Sequence, residues 1–185
     1  MEGLVNPSPG FWRGKRVLIT GHTGFKGGWL AHWLARLGAA VTGFALAPDT
    51  EPSLFAQSRL GARIASRLGD IRDAAAVDRV VAEARPEIVL HLAAQALVRR
   101  SYADPVGTFA TNVLGTAHVL EYARACDSVR AILSVTSDKC YLERAGGAPY
   151  REPDPLGGGD PYSSSKARAE ASATAGARPA RKAWR

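Results

Sequence analysis

The sequence predicts an α/β fold built on a doubly wound parallel sheet, and three observations carry that prediction. Short apolar runs recur along the 185 residues. Segments with apolar residues at helical spacing lie between them. A glycine-rich turn follows the first run directly. Strands alternating with amphipathic helices form right-handed βαβ units. Runs that are apolar throughout suit a sheet covered on both faces.

Residues 1–10, with Pro7, Pro9 and two glycines, read as a flexible leader. Arg16-Val17-Leu18-Ile19-Thr20 is the first strand. Trp29, Leu30, Trp33, Leu34 and Leu37 then fall at helical spacing, with Gly38 as a stop. Residues 41–46 read as the second strand and 64–68 as a weaker third. Asp73 can cap a helix whose inward face is Val77, Val80, Val81 and Ala84, ended by Pro86. Residues 88–92 form the fourth strand. A long helix is predicted from about Pro105, with Val106, Phe109, Ala110, Val113, Leu114, Ala117 and Leu120 facing inward. Residues 129–136 form the fifth strand.

From Ala167 onward the only large apolar side chain is Trp184. A helix begun at Tyr162 therefore lacks an apolar stripe there, and fraying is expected beyond about residue 172. Residues 167–185 read as an atypical basic tail. Arg168, Arg178, Arg181, Lys182 and Arg185 against Glu170 supply +4 of the chain's net +7. The charge is thus concentrated in a tail, with no aromatic-laced basic stripe of the kind that binds nucleic acid. No run reaches the eighteen or so apolar residues of a membrane span, and no secretory signal is visible. Cys126 and Cys140 are too few for a disulfide framework or a cysteine zinc site. No metal is expected, and a reducing cytoplasm is.

Gly21-His22-Thr23-Gly24-Phe25-Lys26-Gly27 sits between the first strand and its helix. Gly21 permits the tight turn, Gly24 lets backbone approach a pyrophosphate, and Gly27 lets helix and strand pack closely. The helix N-terminus then offers free N–H groups to the anion. No Lys or Arg lies between Leu37 and Ser58 to hold a ribose 2′-phosphate, although Lys26 could reach one. NAD is favoured over NADP.

Tyr162 and Lys166, four apart, share one face of a helix. A phenol ordinarily titrates near pH 10 and a useful base nearer 7, a gap of roughly 4 kcal/mol. A neighbouring ammonium and an oxidised nicotinamide can supply that stabilisation.

The Gly-x-x-Gly-x-x-Gly spacing resembles the extended branch of the short-chain dehydrogenase/reductase superfamily, whose sheet is Rossmann-like. Asp70 and Ile71 after the third strand match the segment that meets the adenine. Leu92, Ala93 and Ala94, within His91-Leu92-Ala93-Ala94-Gln95, match the backbone wall beside the cofactor, and Asn112 matches a structural asparagine. Val135-Thr136-Ser137-Asp138-Lys139-Cys140-Tyr141 and Asp160-Pro161-Tyr162-Ser163-Ser164-Ser165-Lys166, with the glycine loop, look like the CDP-glucose 4,6-dehydratase subgroup. The likeness spans about residues 11–166, taken as one NAD-binding domain.

That resemblance implies a cofactor site of Gly21, Thr23, Gly24, Phe25, Lys26, Gly27, Asp70, Ile71, Leu92, Ala93, Ala94, Tyr162 and Lys166. It implies catalysis by Ser137, Asp138, Lys139, Tyr162 and Lys166 on a nucleotide sugar, CDP-glucose being favoured. Tyr162 would take the 4-hydroxyl proton, Lys139 the C5 proton, and Asp138 would protonate the departing 6-hydroxyl. The alternative for Lys139 is that it only pairs with Asp138, whose charge opposes a neutral amine. A homodimer or higher homo-oligomer is also implied.

Members of this group run well past 300 residues. The sheet is therefore expected to be incomplete on its C-terminal side, with the substrate domain absent, as in a frameshifted or truncated product. Weak or no turnover is expected of this polypeptide. A nucleotide-sugar 4-epimerase or reductase, and a catalytically silent NAD-binding fragment, are the alternatives.

Overall fold

The computed structural model describes residues 8–144, 147 and 149–176. Five parallel strands, β1 (Arg16–Thr20), β2 (Ala40–Ala45), β3 (Ala65–Leu68), β4 (Ile88–His91) and β5 (Ala131–Ser134), lie in the order β3-β2-β1-β4-β5. The predicted doubly wound sheet is present, with strand ends displaced by one or two residues. The helices are α1 (Pro9–Trp12), α2 (Phe25–Arg36), α3 (Leu54–Gln57), α4 (Ala74–Ala84), α5 (Val98–Ala103), α6 (Pro105–Phe109), α7 (Thr116–Ala125) and α8 (Pro161–Gly176). A wide π turn, Ala110–Gly115, joins α6 to α7, and 3₁₀ turns occupy Leu60–Ala62 and Asp138–Cys140. The leader expected over residues 1–10 gives way to α1 at Pro9, and residues 1–7 lie outside the described residues.

Alternation along β1 builds both cores. Leu18 enters one with Val77, Val80, Val81, Val89, Val119 and Ala123, under α4 and α7. Val17 and Ile19 enter the other with Ala31, Leu34, Val41, Leu60 and Leu90, under α2. Asp73 caps α4 as predicted, accepting from Ala76 N at 3.1 Å. Arg85, at φ +40°, then turns the chain out of the helix before Pro86.

Two predicted helix faces are corrected. On α2 the buried residues are Gly27, Gly28, Ala31 and Leu34, while Trp29 and Trp33 are more than half exposed. Glycines at the contact bring the helix too close to the sheet for an indole. On the long helix, Val106, Leu114 and Ala117 face solvent. Thr108, Asn112, Thr116, Val119 and Ala123 are buried instead, because hydroxyls and an amide find hydrogen-bond partners there. Helix α8 also continues to Gly176, past the predicted fraying point. Beyond Lys166 its buried residues are small, Ala167 and Ala169. The rest of the basic tail, 177–185, lies outside the described residues.

The expected uncovered edge is present. Among the described residues β5 pairs only with β4, and its Ile132 and Leu133 are exposed.

Candidate functional site

Where the C-terminal ends of β1 and β4 meet, the chain brings the glycine loop against the segment after β4. Gly21 has φ +83°, and its N–H donates to Phe44 O at 2.9 Å. A Cβ on Gly21 would stand 2.8 Å from Ala93 N, and one on Gly27 would overlap the Gly21 carbonyl oxygen. Both positions require glycine. Gly24 is exposed and begins α2 without a side-chain cap, so the first-turn N–H groups have no side-chain oxygen on them. Phe25 and Lys26 are exposed beside it, and Thr23 donates to Leu46 O at 2.9 Å. A bare, positively polarised helix start beside a glycine cradle fits a dinucleotide pyrophosphate.

His22, second in this loop, is fully buried under Gly43, where any Cβ would collide with its ring. Its Nε2 lies 2.7 Å from Ser66 Oγ, and the ring meets Phe55 edge-on. Burial pushes its pKa down to about 4.

Leu92, Ala93 and Ala94 form a half-buried wall. Thr20 Oγ1 accepts from both Leu92 N and Ala93 N at 3.2 Å, and lies 2.6 Å from His91 Nδ1. His91 Nε2 lies 2.9 Å from Thr116 Oγ1. Burial, with the charge of Lys166 adding to it, lowers the His91 pKa to about 4, so the ring is neutral. Asp70 is gripped by Arg72, at 2.8 Å from Nε and 2.6 Å from the terminal guanidinium nitrogen, and that contact lowers its pKa. Ile71 is buried in the core, and only its backbone is engaged, its carbonyl accepting from His118 Nδ1 at 3.0 Å.

Helix α8 carries Tyr162 and Lys166 on its buried side. Three contacts fix it. Tyr162 N donates to Ser101 Oγ on α5 at 3.1 Å. Asn112 Nδ2 donates to Ser165 Oγ at 2.9 Å, and Thr136 Oγ1 donates to Glu170 Oε2 at 2.5 Å. Asn112 also clasps the Gln95 backbone, accepting from its N at 2.8 Å and donating to its O at 3.0 Å. Lys166 Nζ reaches Val135 O at 3.3 Å, just past β5. Its pKa is lowered, first by burial and then by the charge of Lys26 in the glycine loop.

Ser137 Oγ donates to Asp138 Oδ1 at 3.1 Å and accepts from Lys139 N at 3.2 Å. Asp138 and Lys139 are exposed, and among the described residues no ion pair joins their side chains. The contact between these two residues is instead a bond from Lys139 N to Asp138 Oδ1 at 3.0 Å. His22, Thr20, Ser101, Thr116 and Ser165 escape the sequence reading. Apart from Thr20, which lies in the first apolar strand, the sequence pattern gives no signal for them.

Fold and site together define a Rossmann-like protein of the short-chain dehydrogenase/reductase type. The chain belongs to the family described as GDP-mannose 4,6 dehydratase, whose model matches residues 18–178. It is 52% identical over 165 residues to the CDP-glucose 4,6-dehydratase of Salmonella typhimurium (strain LT2), covering 89% of this chain and 46% of that protein. The UDP-glucose 4-epimerase of Thermus thermophilus, solved as a complex with NAD, superposes with TM-score 0.74 at 31% identity, over 86% of this chain and 50% of that one. The Thermotoga maritima UDP-glucose 4-epimerase, solved with UDP-glucose, gives 0.77 at 26% identity, over 88% and 51%. The chain spans about half the length of the curated relatives it matches.

Proposed function

We propose that this chain supplies the NAD-binding and acid–base half of a CDP-glucose 4,6-dehydratase, a lyase that converts a nucleotide hexose to its 4-keto-6-deoxy form. The observation that carries this reading is the setting of Tyr162 and Lys166. They lie one turn apart on a buried helix face, with Lys166 anchored at Val135 and within electrostatic reach of Lys26. The likeness to the Salmonella dehydratase supports the substrate class.

Gly21, Gly24 and Gly27 would cradle the pyrophosphate with Thr23, Phe25 and Lys26 around it. Leu92, Ala93 and Ala94 would wall the cofactor, and the Asp70–Ile71 segment would border the adenine. Bound NAD would accept a hydride from sugar C4 and return it at C6. Tyr162 takes the 4-hydroxyl proton, Lys166 holds the nicotinamide ribose, and Ser137 hydrogen-bonds the reacting oxygen. The ketone acidifies C5, whose proton passes to Lys139 while Asp138 protonates the departing 6-hydroxyl. Lys139 would need a neutral amine for this step. Water is lost, Lys139 returns the proton to C5 as the hydride reaches C6, and the cofactor would end as it began.

Residues 11–166 would form the cofactor domain of a cytoplasmic protein, and the exposed Val106 and Leu114 on its long helix support a homodimer or higher homo-oligomer. A second reading, NAD binding without turnover, draws support from the exposure of Asp138, Lys139 and Leu133. Titrating the purified chain with NAD and then supplying CDP-glucose separates the readings. A 4-keto product supports the dehydratase, NAD retention alone supports the silent module, and no NAD binding overturns both.

A further inference from the structure

Between the glycine loop and α8, Thr20, His91 and Thr116 form a directional file of hydrogen bonds that ends on the Asn112 backbone, and the Asn112 side chain and Ser165 form a second run onto α8. Proton positions along it are fixed by elimination. The Ser165 hydroxyl donates to Tyr162 O at 2.7 Å, so its oxygen is left to accept from Asn112 Nδ2. The Thr116 hydroxyl donates to Asn112 O at 2.7 Å, so its oxygen must accept from His91 Nε2–H. His91, neutral with one ring proton, then has a bare Nδ1, and Thr20 must donate to it. The Thr20 oxygen is thereby left to accept from Leu92 N and Ala93 N. Donors point from the wall beside Gly21 to the backbone carbonyl of Asn112, and each of these bonds polarises the next; the Asn112 side chain starts a second, shorter run through Ser165 to Tyr162 O.

We propose that His91 is a positioning residue: held as the Nε2–H tautomer by Thr116, it orients Thr20 so that the Leu92–Ala93 backbone is drawn onto Gly21. The geometry shows what this achieves. Ala93 N sits where a Cβ on Gly21 would be 2.8 Å away, so the wall has no room to shift toward the loop. Ala93 N anchored on the Thr20 hydroxyl, and Leu92 N shared between that hydroxyl and Thr20 O at 3.1 Å, prevent it from shifting outward. No other ring-nitrogen pairing satisfies all four partners. His91 never touches the crevice, since it is 2% exposed. Its effect on binding passes through Thr20, and this inference rests on the cofactor site proposed above.

The test uses the full chain labelled with 15N-histidine. The Nδ1 resonance of His91 is expected at the unprotonated position and Nε2 at the protonated one; the opposite tautomer overturns the proposal without any variant. Thr116→Val removes the acceptor at constant shape, and Thr116→Ser restores it. In Thr116→Val, amide exchange at Leu92 and Ala93 is expected to quicken about tenfold and the Kd for NAD to rise roughly tenfold, with Thr116→Ser near the parent in both. A Thr116→Val chain that merely melts earlier, with exchange at Leu92 and Ala93 and NAD affinity both unchanged, overturns it. Should the parent chain not bind NAD, the cofactor reading fails, while tautomer and exchange still decide the role of His91.

Discussion

Asn112 donates its side-chain amide to Ser165 Oγ across 2.9 Å, and with its other atoms it grips both backbone groups of Gln95. One amide thus ties the segment after β4 to the helix bearing Tyr162 and Lys166. Ser165→Ala would leave a buried N–H without a partner, which costs about 1–3 kcal/mol. A drop of that size in unfolding free energy, measured by urea denaturation, is expected. Ser165→Thr would keep the acceptor but must fit an added methyl at a fully buried site.

Gly27→Ala is expected to be severe. Its Cβ would overlap the carbonyl oxygen of Gly21, and neither backbone can retreat without opening the loop. Overpacking of this kind typically costs about 1–3 kcal/mol. NAD titration should show at least a hundredfold loss, whereas Gly24→Ala, which meets only Gly21 O at 3.4 Å, should be milder.

Lys166 sets stability against function. Burial lowers its pKa, so at neutral pH the ammonium is held in the native state at a cost, with one carbonyl at 3.3 Å. Lys166→Met should therefore raise Tm by a few degrees while weakening NAD binding about tenfold or more. Calorimetry and titration of the same sample check both halves.

Acid should weaken the fold through two buried imidazoles. His22 and His91 have native pKa values of about 4, against 6.5 in the unfolded chain. Between those values the unfolded state binds more protons, so stability is full above pH 6.5 and falls as pH drops toward 4. Each ring can contribute on the order of 3 kcal/mol to that loss. Urea midpoints at pH 7.5, 5.5 and 4.5 should decline steadily, and replacing either histidine should flatten the curve.

The open side of β5 predicts self-association. Leu133 is 57% exposed on a strand with one free edge among the described residues. Leu133→Lys should raise the concentration at which light scattering begins, and change stability by no more than about 0.5 kcal/mol.

Much of this architecture is legible because it follows local rules. The run through Val17, Leu18 and Ile19, the spacing of Gly21, Gly24 and Gly27, and the Asp73 cap each specify their element without distant help. The helix faces are not legible in that way. Gly27, Gly28 and Ala31 bury α2 by close approach, and Thr108, Asn112 and Thr116 bury the long helix by hydrogen bonding. Hydropathy registers neither. Helix α5 is only six residues long, too brief for a period, yet its Ser101 holds the first turn of α8. Within the site, Tyr162, Lys166 and the loop glycines are readable from spacing. The histidines are not, since only the folded state supplies Ser66, Thr20 and Thr116 as their partners.

The π turn at Ala110–Gly115 makes the chain's numbering mechanically significant there. Each helical residue turns the axis by about 100°, so losing or gaining a single codon between Asn112 and Thr116 would swing all of α7 and aim Val119 and Ala123 away from the sheet. Length, more than residue identity, decides which face of α7 meets the core here.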